Sequence, residues 1–230
     1  MTAARVISLV SNSPPYSGVS KAERVGGPTH PPKGKGMKEK YNPSPDLHMK
    51  ILGVSGSPRK GGNTDLAVRT ALKILGENRP GVEMEFHRIT EFHIENCRGC
   101  RYCMTHVDCA IKGDDLETLI GMMMASDLIV LGSPVYWWGP PGIFKAFIDR
   151  THAFYPDVKR FDGKKVAVIT VAAQSGFPSH ERTMGWLRHY GAEYVGWLRL
   201  YAREKGELQR KLGQMRKLES FAKDLAKMKP

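Results

Sequence analysis

From residue 49 onward the chain alternates short apolar runs with amphipathic stretches. Met49–Ser55 is mostly apolar and leads straight into Gly56, the pattern of a short buried strand. Over residues 65–75, Val68, Ala71, Leu72 and Leu75 recur at i, i+3, i+4 and i+7. That spacing predicts a helix, with Gly76 as its stop. Residues 82–89 alternate apolar and polar side chains and predict a second strand. Asp114-Asp115 place carboxylates at the start of a helix running to about Ala125, where they favour the helix dipole and cap free N–H groups. Residues 127–131 read as a third strand ending at Gly132-Ser133-Pro134. A helix follows near residues 142–152, with Ile143, Phe144 and Phe147 on its buried face. A fourth strand is expected at residues 164–171, a helix at 179–190 and a fifth strand at Glu193–Tyr201. Five strands separated by helices predict an α/β fold, a five-stranded parallel sheet with helices on both faces. The last stretch, residues 204–228, places Leu208, Leu212, Met215, Leu218, Phe221, Ala222 and Leu225 on one stripe. Such an amphipathic helix packs on its own sheet, and no Trp anchors it to a membrane surface.

Three segments follow. Residues 1–48 are rich in Pro, Gly and Ser with little periodic apolar pattern, and are expected to be a disordered basic extension. Because Met49 opens a clean strand, it is a candidate translation start. Residues 49–202 form the expected α/β domain, with a cysteine-rich loop at 91–113, and residues 203–230 hold the C-terminal helix. The net charge of +12 sits mainly at the two ends. Residues 1–48 carry seven basic and three acidic side chains, and residues 203–230 carry nine and four. The middle is close to balance, so solvated basic tails explain the charge and nucleic-acid binding is not expected. The longest apolar runs, such as 128–131 and 166–173, are far short of the roughly 20 residues a spanning helix needs. The run from Val6 to Val10 is too short for a secretory signal, so a cytoplasmic location without membrane attachment is expected.

Two stretches carry the chemistry. The first is Gly56-Ser57-Pro58-Arg59-Lys60-Gly61-Gly62-Asn63-Thr64, between a strand and a helix. A Gly-rich turn there aims free N–H groups and the positive helix end at one point, which suits phosphate. Gly62-Asn63 stand where a nucleotide-triphosphate loop needs Lys-Ser/Thr, and the dinucleotide pattern G-x-G-x-x-G is not met. What remains is a cradle of Ser57, Asn63 and Thr64, with Arg59 able to grip oxygens in a fork, suited to a phosphate monoester. Two later strand ends add loops. Ser133-Pro134-Val135-Tyr136-Trp137-Trp138-Gly139 offers flat apolar surface and backbone hydrogen bonds to a planar heterocycle, and Ala172-Ala173-Gln174-Ser175-Gly176 follows the fourth strand.

The second stretch holds all four cysteines, Cys97, Cys100, Cys103 and Cys109, spaced C-x2-C-x2-C-x5-C. In a reducing compartment such a set points to metal or redox chemistry rather than disulfides. A compact wrap of four thiolates suits a [4Fe-4S] cluster. Structural zinc usually joins two separated C-x2-C knuckles, which this run lacks, and free thiols are the remaining possibility. Arg98, Arg101 and His106 lie among the cysteines, either offsetting cluster charge or simply exposed. No acid–base triad or carboxylate pair stands out. His87, His93, His106 and His152 are scattered and read as structural or exposed.

The Gly56–Thr64 loop, Ser133-Pro134-Val135-Tyr136-Trp137 and Lys145-Ala146-Phe147-Ile148-Asp149-Arg150 together resemble the flavodoxin-like NADPH-dependent FMN reductase superfamily. The four-cysteine spacing further resembles the iron–sulfur flavoproteins of anaerobic archaea and bacteria. The resemblance implies FMN, its phosphate held at Ser57, Arg59, Gly62, Asn63 and Thr64. It implies an isoalloxazine ring against Pro134, Val135, Tyr136 and Trp137, with Ser175 and Gly176 covering its other side. It also implies a homodimer or homotetramer in which the cluster of one subunit approaches FMN on another. The function expected is electron relay: a low-potential donor such as ferredoxin feeds a [4Fe-4S] cluster on Cys97, Cys100, Cys103 and Cys109. FMN then delivers electrons to a small-molecule acceptor such as oxygen, peroxide or a quinone. Two alternatives stay open. One is an NAD(P)H-dependent FMN or quinone reductase without a cluster; the other is a zinc-binding regulatory or nucleic-acid-binding protein.

Overall fold

A computed structural model of the chain describes residues 49–228; the expectations for residues 1–48 lie outside them. Strands β1 (Met49–Ser55), β2 (Val82–Arg88), β3 (Leu128–Pro134), β4 (Lys165–Ala172) and β5 (Glu193–Tyr201) form one parallel sheet. Their order is β2-β1-β3-β4-β5, that of flavodoxin-like folds, whose ligand crevice opens where the order reverses, between β1 and β3.

Helices cover both faces because both faces are apolar. Along each central strand, neighbouring residues go to opposite cores, as the period-2 pleat requires. Ile51, Leu128, Val130, Ala167 and Ile169 pack beneath α1 (Asn63–Asn78) and α6 (Leu212–Ala226). Leu52, Ile129, Leu131, Val166 and Val168 pack beneath α2 (Leu116–Ala125) and α3 (Gly142–Arg150). Burial of each of these Val, Leu and Ile side chains contributes about 1.5–3 kcal/mol. Phe144 and Phe147 of α3 are fully buried, and each meets the Trp186 ring edge-on. Truncating Phe144 to Ala would cost about 3–5 kcal/mol.

Several boundaries differ from the sequence expectation. Gly76 does not stop α1, which runs on to Asn78. It lies where a Cβ would meet the Met84 methyl at 2.5 Å, so this glycine serves close packing on β2. Ile143 is exposed; the buried stripe of α3 is Phe144, Phe147 and Ile148. The single helix expected at 142–152 ends at Arg150 and continues as a 3-10 turn, Thr151–Phe154. That expected at 179–190 divides at Gly185 into α4 (Phe177–Met184) and a 3-10 turn, Trp186–Tyr190. The C-terminal helix is likewise two pieces, α5 (Glu207–Arg210) and α6, broken at Lys211. The break rotates the apolar stripe: Leu208 and Leu218 are buried, whereas Leu212 is exposed. No helix among the described residues is long and apolar enough to cross a membrane.

Candidate functional site

The β1–α1 loop is shaped by one carboxylate. Asp65, in the first turn of α1 and 3% exposed, accepts hydrogen bonds from Ser55 Oγ at 2.5 Å, Gly61 N at 2.8 Å and Arg88 Nε at 3.0 Å. The bond to Gly61 folds the loop back over the helix, and Arg88, at the end of β2, offsets the buried charge. Ser57 Oγ accepts from Arg59 N at 3.2 Å, and Arg59 O accepts from Gly62 N at 3.1 Å, completing a tight turn. Gly56 begins it because a Cβ there would strike the Phe144 ring, 2.0 Å away. Neither Asp65 nor Arg88 carries a local sequence signal; only their meeting across 23 residues shows what they do.

A cavity of about 190 Å³ opens above this loop. Ser57, Arg59, Gly62, Asn63 and Thr64 line it on one side, and Pro134, Val135 and Tyr136 on another. Its remaining wall comes from Val171 and Ala173 at the end of β4 and from Ala202, Arg203 and Lys205 after β5. Hydroxyls, cations and the start of a helix thus meet a small apolar wall at the β1/β3 switch point. A polar end rich in hydroxyls and cations beside an apolar wall fits a phosphorylated flavin.

Three expected residues do not line the cavity. Trp137 and Trp138 form the tip of a two-residue hairpin closed by reciprocal backbone bonds between Tyr136 and Gly139, at 2.8 and 3.0 Å. Both adopt left-handed backbone angles, φ 47° and 62°, and Trp137 is 88% exposed. Such a turn favours Asn-Gly, so two tryptophans there are held at a cost. Gly176, at φ 97°, sits behind the hairpin, where a Cβ would meet Val135 and Trp138 at 2.8 and 3.1 Å; Ser175 precedes it, away from the lining. Asn63 lines the cavity, but its side-chain amide is engaged: Nδ2 donates to Glu204 O at 2.8 Å, and Oδ1 accepts from Leu208 N at 3.2 Å.

Beneath the hairpin lies a buried polar group that the sequence does not single out. His180 Nε2 is 2.9 Å from Ser133 Oγ, and Nδ1 is 3.4 Å from Thr170 Oγ1. All three side chains are essentially inaccessible. Burial pushes His180 down to about 4, so the ring is neutral near pH 7 and serves as a hydrogen-bonding wedge between the ends of β3 and β4.

The cysteine segment follows β2, at the same carboxyl edge of the sheet. Its base is closed by Asp114, Asp115 and Arg150. Asp115 Oδ2 accepts from His93 N at 2.7 Å, and Asp114 Oδ2 from Glu95 N at 3.0 Å. The expected cap at Asp115 therefore ties the loop instead of the helix, whose first turn is reached by Asp114 Oδ1 at Leu116 N, 3.3 Å. Arg150, 1% exposed, donates to Asp114 Oδ2 at 2.5 Å, to Glu95 O at 3.0 Å and to Ile111 O at 3.4 Å. Burial pushes the Asp114 carboxyl up, but Arg150 and the two N–H donors outweigh it and hold it below the usual carboxylate range.

All four cysteines line one space of about 30 Å³, with Arg98, Arg101 and Arg150 around it. Cys97 and Cys100 are exposed; Cys103 and Cys109 are half-buried. Burial raises the Cys103 thiol, and the other three cysteines push it further the same way. His152 Nδ1 lies 3.2 Å from Cys103 Sγ, so this histidine, unremarkable in the sequence, faces the thiol set. Among the described residues no three His, Cys, Asp or Glu side chains are grouped to hold a single metal ion. A set of four soft donors ringed by arginines fits an anionic thiolate cluster better than a lone cation.

Known proteins share the sequence and fold on which this arrangement is built. The family model described as NADPH-dependent FMN reductase matches residues 49–202. An iron-sulfur flavoprotein of Methanocaldococcus jannaschii is 41% identical over 45% of this chain and 52% of its own, so the match spans about half of that relative. Iron-sulfur flavoproteins of Archaeoglobus fulgidus and Methanosarcina thermophila are each 36% identical, covering 65% and 64% of this chain and 67% and 78% of theirs. Among solved structures, an NAD(P)H:quinone oxidoreductase from Methanothermobacter marburgensis shares the fold, with TM-score 0.60 and 16% identity over 77% of this chain and 99% of its own. With the 2-1-3-4-5 sheet, the phosphate loop and the four-cysteine segment, these matches place the chain in the iron–sulfur flavoprotein family of the NADPH-dependent FMN reductase superfamily.

Proposed function

We propose that this chain is an FMN-dependent oxidoreductase whose four cysteines hold a [4Fe-4S] cluster, and that it carries electrons from a low-potential donor such as ferredoxin to a small-molecule acceptor. One observation supports this most: a phosphate-and-ring cavity and a ring of four thiols occupy loops at the same edge of one sheet. When bound, FMN exchanges electrons singly or in pairs and the cluster exchanges them one at a time. The protein's part is to bind and orient. Ser57, Arg59, Gly62, Thr64 and the backbone of Asn63 would hold the phosphate, and Pro134, Val135 and Tyr136 would support the ring, with Trp137 in the hairpin that follows them. Cys97, Cys100, Cys103 and Cys109 ligate the cluster, with Arg150 fixing the base of their loop. The homo-oligomer and the ferredoxin-like donor rest on the family resemblance, and a cytoplasmic site of action on the sequence expectation alone.

A second reading has one observation in its favour: Cys97 and Cys100 are exposed, as cysteines without a cluster can be. The chain would then be an NAD(P)H-dependent FMN or quinone reductase. Anaerobic preparation followed by flavin, iron and sulfide analysis separates the two. The proposal expects one FMN and about four iron atoms per chain, with an EPR signal after dithionite. Stoichiometric FMN without iron would establish the second reading. Replacing Cys103 by Ala should lower iron content and leave FMN stoichiometry unchanged.

A further inference from the structure

We propose that Arg203 and Lys205 form the second wall of the phosphate site, so that the cavity selects a flavin carrying a phosphate monoester over the same flavin without it. This rests on the FMN reading above and extends it to residues outside the phosphate loop. The two cations are delivered by backbone ties rather than by chance exposure. Asn63 grips Glu204 O and Leu208 N, and the Glu207 carboxylate accepts from Arg203 N at 2.6 Å and Glu204 N at 2.8 Å. The segment is thereby fastened onto the start of α1, and Lys205 Nζ lies 3.9 Å from where a Gly61 Cβ would stand.

Arg59, Arg203 and Lys205 then line one cavity of about 190 Å³. Among the described residues, none of the three has a carboxylate partner, although Glu204 and Glu207 lie within the same turn. Three like charges around one small space repel one another, and a phosphate monoester, carrying close to two negative charges at neutral pH, relieves that repulsion. Riboflavin offers nothing to these side chains. Asn63 thus lines the cavity and ties down the segment that carries the two cations.

The test uses the full chain freed of flavin and titrated with FMN, riboflavin and inorganic phosphate, with binding followed by flavin fluorescence or, for phosphate, by competition. The R203Q/K205Q double variant should bind FMN about 100-fold more weakly and riboflavin within about twofold of the parent. The charge-conserving R203K/K205R should recover most of the loss. Inorganic phosphate should compete with FMN for the parent but not for the double variant. Equal losses for FMN and riboflavin, or no change in either, would overturn the inference. A parent protein binding both flavins equally would also overturn it while leaving the flavin site intact. A parent binding neither would sink the FMN reading as well.

Discussion

His180 shows what a single buried residue does for this site. It is neutral because burial makes its charged form costly, holding it at about 4 rather than 6.5. The unfolded chain therefore takes up a proton, between pH 6.5 and 4, that the folded chain refuses. Stability is full above pH 6.5, falls through that window and levels off below it, by about 3 kcal/mol in all. Urea unfolding at pH 7 and pH 4.5 should show this drop in the parent and a much smaller one in His180→Gln. An equal drop in both would assign the effect to other groups. The hairpin tip makes the opposite trade. Trp137 has left-handed backbone angles and buries almost nothing, so Trp137→Asn should raise the melting temperature by a few degrees, worth about 0.5–1 kcal/mol. Should flavin affinity fall in the same variant, the strain is held for binding.

At the scale of elements, the strands were readable because a sheet buried on both faces leaves nearly continuous apolar runs. Met49–Ser55 and Glu193–Tyr201 have the expected limits. Helix faces were less readable, as Ile143 and Leu212 show. Whether an apolar residue faces in or out depends on breaks, such as that at Lys211, which no local period announces. The two cavity-lining loops were legible in Gly, Ser, Thr and aromatic chemistry. Their supports were not, since Asp65–Arg88 and Asn63–Glu204 join positions 23 and 141 apart. Arg150 is the clearest case, a family-motif residue whose task appears only when Glu95, Ile111 and Asp114 surround it. Arg150→Met should leave Asp114 buried and unpaired, costing about 3–5 kcal/mol by urea unfolding. Faster alkylation of the four cysteines in that variant, under native conditions, would show that the loop's base has opened.

For the whole molecule, the edge where all five parallel strands end gathers both sites and both aromatic and basic walls. Ligand at that edge should stabilise the entire fold: FMN at 100 times its dissociation constant adds about 2.7 kcal/mol, seen as a rise in melting temperature that riboflavin at equal concentration does not match. Asn63 gives this architecture a temporal side. Its amide is satisfied by groups 141 and 145 positions later. At 5–20 residues per second, a ribosome needs roughly 7–30 s to supply them after the loop has emerged. Through that interval the nascent polypeptide has its Gly-rich turn but not the far strap, so the complete cradle forms only after that later segment has been made.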